Sequence, residues 1–132
     1  MILCFKEGDI KKYQIVVEPK DTAAFESGEV HPVYATFALG RDAEWCCRLF
    51  VLDMKEPHEE GIGTFLSINH KSPALVGSVV DFTATVETIK GNEIICSYKA
   101  EVKGRLIAEG KQGQKIVNKE KLNNLFNSLK EN

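Results

Sequence analysis

One long helical pattern followed by three alternating ones limits the fold of this chain more than any other feature. From Thr36 to Met54, Leu39, Ala43, Cys46, Phe50 and Met54 recur at spacings of three and four, so they share one helical face. The opposite face carries Phe37, Trp45 and Leu52 and is apolar as well, which predicts a helix buried nearly all round. After the helix the period drops to two. Ile62, Thr64, Leu66, Ile68 and His70 share one face of the stretch from Ile62 to His70. Val80, Phe82, Ala84 and Val86 point inward from a second stretch, and Ile94, Cys96, Tyr98, Ala100 and Val102 from a third. Such alternation marks an antiparallel sheet covered on one side. Lys90-Gly91-Asn92 and Lys103-Gly104 supply tight turns, which puts the strands in hairpin order.

The flanks complete the pattern. Tyr13 to Val17 reads as a first strand, and Pro19 to Pro32 as a polar, irregular lid or crossing loop. Arg105 to Val117 makes a last strand, bent or bulged near Gly110 and Gly113. Lys119 to Lys130 is a short polar helix with Leu122, Leu125, Phe126 and Leu129 on one side. The whole reads as one α+β domain over residues 1–132, with a core at 10–117 and a C-terminal helix at 119–130. A strand, a buried helix and a run of antiparallel strands imply a sheet wrapped around a long central helix, the hotdog fold. A lone sheet of this kind has open edges, and pairing two of them is the usual remedy.

Composition excludes several classes. A net charge of -2 with scattered lysines offers no basic stripe for nucleic acid. The apolar start Met1-Ile2-Leu3-Cys4-Phe5 is too short for a signal peptide or a membrane span, so the cytoplasm is the expected compartment. Cys4, Cys46, Cys47 and Cys96 form no CxxC motif and have no histidine at metal-ligand spacing; they read as reduced, buried and hydrophobe-like. His58-Glu59-Glu60 lacks the second histidine of a zinc-protease helix and reads as solvated loop. No metal site is expected.

Three polar residues stand in otherwise apolar segments: Thr36, Glu44 eight residues on, and His70 another twenty-six on. A hydroxyl, a carboxylate and an imidazole are the side chains of acyl-transfer chemistry. Each also has a plainer use. Glu44 lies three residues after Arg41 and four before Arg48, where an exposed ion-pair stripe would form. His70 suits a hydrogen-bonded core or dimer-interface histidine, Thr36 a helix N-cap, and Gly63 a bulge or a close-packed backbone.

From about Val30 to Val117 the chain resembles the fluoroacetyl-coenzyme A thioesterase branch of the hotdog thioesterases. The likeness rests on Ala35-Thr36, Glu44-Trp45 with Cys47, Gly63-Thr64 and His70, then Pro73, Gly77 and Glu109-Gly110. It implies hydrolysis of an acyl-coenzyme A thioester, with Thr36, Glu44 and His70 as the catalytic group. It also implies a homodimer or higher homo-oligomer, and no cofactor beyond the coenzyme A of the substrate. Gly63 then brings its backbone to the acyl group. Two departures stand out. The family's lid phenylalanines fall on Ser27 and Val30, which with Tyr34 and Gly63 are the expected substrate-binding positions; selectivity for fluoroacetyl is not expected to carry over. The family's Gly-x-His-x-Arg becomes Gly110-Lys111-Gln112-Gly113-Gln114, which keeps a second reading open: a hotdog protein that binds an acyl-coenzyme A or another small ligand without cleaving it. A third, a hydratase of the same fold, would need an Asp/His pair in a motif the chain lacks.

Overall fold

The computed structural model describes residues 1–25 and 28–130. A curled antiparallel sheet wraps around one long helix, as the periodicities predict. The sheet is built from β1 (Ile10–Val16), β4 (Glu59–Leu66), β5 (Asn69–His70), β6 (Val79–Lys90), β7 (Glu93–Val102) and β8 (Arg105–Asn118). A short helical turn at Pro19–Asp21 leads into a separate ribbon of β2 (Thr22–Phe25) and β3 (Gly28–Tyr34). The helices are α1 (Thr36–Met54) and α2 (Lys119–Leu129).

α1 keeps the limits its periodicity predicts. Leu39, Ala43, Cys46, Phe50 and Met54 are all fully buried against the sheet, and α1 packs on β1, β4, β6, β7 and β8. Lys55 ends it in an extended conformation, two residues before Pro57. Its opposite face is not buried: Phe37, Trp45 and Leu52 are 60%, 41% and 39% exposed. The core therefore takes only one of the two apolar faces of α1.

Strand order is where linear reading fails first. β4 does not lie beside β6. It crosses to the far edge, giving β1-β6-β7-β8-β4, with β5 also pairing β8. The inward alternation of β6 and β7 is as expected, from Val80 to Val86 and from Ile94 to Ala100; Val102 is half-buried. The hairpin turns also hold, with positive φ at Gly91 and at Lys103-Gly104.

The expected strand from Ile62 to His70 breaks into β4 and β5, and its face switches midway. Gly63 pairs with Gln114 and Phe65 with Gly113, so Thr64 is the extra residue of a bulge. Before it Gly61 and Gly63 face α1; after it Leu66, Ile68 and His70 do. The bulge on β8 falls at Ile107, where Ala100 pairs with Ala108 and Glu101 with Leu106. Gly110 instead pairs regularly with Tyr98.

Other expectations change in smaller ways. β1 starts at Ile10, three residues earlier than Tyr13, because Lys11 and Lys12 continue its pairing with β6. Between Pro19 and Pro32 the described residues are not an irregular loop: β2 and β3 pair with each other, with register shifts that hide the alternation. Glu59 and Glu60 belong to β4, with His58 in the turn before them. Three cysteines are buried, whereas Cys4 is exposed. Burial pushes the Cys46 thiol up to about 11. No residue of α2 is buried; it touches β8, and Leu122 is half-buried, whereas Leu125, Phe126 and Leu129 are exposed.

Candidate active site

The fold brings Thr36 and His70 together. β3 ends at Tyr34, whose N–H donates to the Ala74 carbonyl, and Ala35 donates to the Asp21 carbonyl. These bonds pin the chain where α1 begins. The N-cap is Ala35, which has no polar side chain, and Thr36 is the first helical residue. The expected N-cap role of Thr36 is therefore not taken. Its hydroxyl turns to the sheet and meets His70 Nδ1 at 2.9 Å. β5 presents His70 from the other side, held by pairing with Ala108. His70 Nε2 is buried and has no hydrogen-bond partner among the described residues. A buried imidazole nitrogen without a partner is costly in a core and common where chemistry is done.

Glu44 stands two helical turns further along α1. Its carboxylate lies against Gly63, where any Cβ would collide with Glu44 Oε1. Glycine at 63 thus makes room for the carboxylate on the sheet. Gln112 on β8 donates its amide N–H to Glu44 Oε1 at 3.3 Å. The ion-pair stripe with Arg41 and Arg48 does not form. Arg41 pairs with Asp21 and Asp42 at 3.0 and 3.1 Å, and Arg48 donates to the Gly61 carbonyl at 3.0 Å. Glu44 lines an open groove with Tyr13, Arg41, Asp42, Trp45 and Arg48.

Tyr34 is turned away from this region. It is buried, and its hydroxyl donates to Asp42 Oδ2 at 2.5 Å. Burial first, then the Asp42 carboxylate, pushes its phenol far above the ordinary range. A side chain so placed braces the entry to α1, and its hydroxyl is taken by Asp42. Ser27 lies outside the described residues, and of Val30 only the backbone, within β3, is described.

Gln112, Gln114 and Arg48 surround Glu44 in a way that linear reading does not foresee, since it makes the glutamines departures from the family and Arg48 an ion-pair partner. A signal was present. Gln112 and Gln114 alternate on the inward face of a strand, opposite Cys96 and Ile94, and both are 1% exposed. Two amides in a sheet core must be bonded to something.

A threonine and a carboxylate on one helix, with a histidine facing the threonine from the curled sheet around it, define a hotdog protein with the groups of acyl transfer. The chain belongs to the fluoroacetyl-CoA-specific thioesterase family, FlK, whose sequence model it matches over residues 17–120. Among solved structures it is similar to a hypothetical protein of Thermus thermophilus, a thioesterase superfamily member. That match has 38% identity and a TM-score of 0.91, and covers 96% of this chain and 93% of the other. The fold also matches the fluoroacetyl-CoA thioesterase FlK at 22% identity and TM-score 0.86, over 94% and 96% of the two chains. A hot-dog-like protein from Thermanaerovibrio acidaminovorans matches at 22% and 0.84, over 92% and 90%. No curated protein matches the chain. No helix among the described residues is long and apolar enough to cross a membrane.

Proposed function

We propose that this protein hydrolyses the thioester of a small or medium acyl-coenzyme A, with Thr36, Glu44 and His70 as its catalytic residues. The observation that carries the reading is the 2.9 Å contact of Thr36 Oγ1 with His70 Nδ1. It joins residues 34 apart in sequence at the start of an uncapped helix. The N–H groups of that first turn suit the oxyanion of a tetrahedral intermediate. His70 takes the proton of the Thr36 hydroxyl or of a water beside it, and its second nitrogen is free to pass a proton to the departing thiolate. Glu44 acts on the thioester carbonyl either as base to the attacking water or as nucleophile, in which case the C–S bond breaks to leave a mixed anhydride that a water then hydrolyses.

The reading is tested by thiol release from acyl-coenzyme A esters of graded size. Turnover of none of them would leave the ligand-binding alternative in its place. Ser27 and Val30 stand where two rings would dry and narrow the acyl pocket, and each ring is worth a few kcal/mol at most. Acetyl- and fluoroacetyl-coenzyme A are therefore expected at similar, low kcat/KM, below larger acyl groups. A large preference for the fluorinated ester would overturn this assignment of the lid.

The working form is proposed to be a homodimer. The β1 edge carries Lys11 and Lys12, charges that blunt strand addition, whereas the β4 edge from Gly61 to Leu66 is uncharged. Phe37, Trp45, Phe65 and Leu66 are exposed on α1 and β4. Thr36 and Glu44, eight residues apart on one helix, are separated by about 12 Å along its axis. A second chain would supply one of the two groups to each site. Light scattering should give twice 14.7 kDa or a multiple. Mixing and re-annealing inactive Thr36→Ala and Glu44→Gln proteins should restore about one quarter of wild-type activity, since half the dimers are mixed and carry one intact site each. No recovery between exchanging subunits would place both groups of a site on one chain.

A further inference from the structure

Behind Glu44 runs a line of polar groups with a single direction. Arg48 Nη1 donates to Gln114 Oε1 at 3.4 Å, Gln114 Nε2 donates to Gln112 Oε1 at 3.1 Å, and Gln112 Nε2 donates to Glu44 Oε1 at 3.3 Å. The order follows from chemistry. Guanidinium has donors only, so the Gln114 oxygen must face Arg48. Its amide nitrogen then faces the Gln112 oxygen, and the Gln112 nitrogen is left to face Glu44. The last donor, Gln112 Nε2, is satisfied by a Glu44 carboxylate oxygen, which accepts through its lone pairs. Both amides are 1% exposed, so water cannot replace a missing link. The far end is anchored as well, since Arg48 also donates to the Gly61 carbonyl and pairs with Glu60 at 3.8 Å.

From this geometry we infer that Gln112 and Gln114 are positioning residues, which tie Glu44 Oε1 to the sheet and leave its other oxygen for the thioester. Gly63 completes the cradle, because a Cβ there would push Oε1 from its present place beside Gln112. The charge of Arg48 is carried to the site as aligned amide dipoles, which have no proton to exchange with the carboxylate. This inference rests on the reading of Glu44 as catalytic, and the two are tested apart.

The experiment compares Gln112→Met, Gln112→His and Gln114→Met, each in the wild-type and in the Glu44→Gln background, on the best acyl-coenzyme A ester. Methionine keeps the volume and removes the amide. Loss of carboxylate placement by about 1 Å costs roughly 10²-fold in rate, so Gln112→Met should lower kcat by about that factor with KM little changed. Histidine, with one donor and one acceptor nitrogen, keeps the direction of the line and should recover most of that loss. In the Glu44→Gln background none of the three changes should lower the residual rate further. If Gln112→Met does not fold, Gln114→Met decides by the same measures. Unchanged kcat in a folded variant overturns the inference, as does an equal loss in the Glu44→Gln background. Full activity of Glu44→Gln itself would instead overturn the reading of Glu44.

Discussion

Glu44→Gln should leave a folded protein whose turnover is lower by about 10²- to 10⁴-fold, the usual contribution of a placed acid or base. The substitution is nearly isosteric, and the new amide oxygen still accepts from Gln112. Glu44 makes no ion pair with Arg41 or Arg48, whose partners lie elsewhere, so little stability goes with the charge. Glu44 is half-buried and glutamine keeps both its volume and the acceptor for Gln112, so melting temperature should move by less than a few degrees. Thiol release and a thermal melt on the same preparation check both halves. A folded variant with full activity would remove Glu44 from the chemistry.

The second large effect is on stability. Gly110→Ala should cost about 3 kcal/mol, the upper part of the range for overpacking a close-fitted site, and lower Tm by roughly 10 °C for a chain of this size. A Cβ at 110 would collide with the Ser67 carbonyl oxygen, and backbone cannot swing aside as a side chain can. That carbonyl also accepts from the Tyr98 hydroxyl at 2.6 Å, and the Ser67 N–H donates to Lys111 at 2.8 Å. Ser67 lies in the connector between β4 and β5, three residues before His70, so the same strain displaces the imidazole from Thr36. Activity should fall at temperatures where the variant is still folded. Gly91→Asn is the control: its φ is +59°, a value asparagine tolerates, and nothing lies within 4 Å of the added atom. If both variants melt alike, the packing at Ser67 is looser than this contact implies.

Much of the molecule was legible along the chain, for local reasons. The buried face of α1 was readable because 3.6-residue periodicity needs only one helix and one apolar contact. β6 and β7 were readable because both alternate against the same core, and their turns carry glycine where φ is positive. Thr36, Glu44 and His70 stood out because each is polar among apolar neighbours. Ser27 and Val30 stood out only against the pattern of a family.

What stayed hidden depends on pieces distant in sequence. β4 looks like the neighbour of β6, yet no local signal tells a hairpin from a crossover, and it pairs with β8. A one-residue bulge at Thr64 inverts the face of everything after it, so alternation counted from Ile62 assigns Gly61 and Gly63 to the wrong side. Tyr34 sits two residues from Thr36, but a buried carboxylate on the next helical turn claims its hydroxyl. Gln112 and Gln114 looked like losses from a family pattern. They become a connected line only when β8 is laid beneath α1, because a hydrogen bond is a statement about distance and direction in space. Spacing along a chain holds that information for residues on one helix or strand, and for no others.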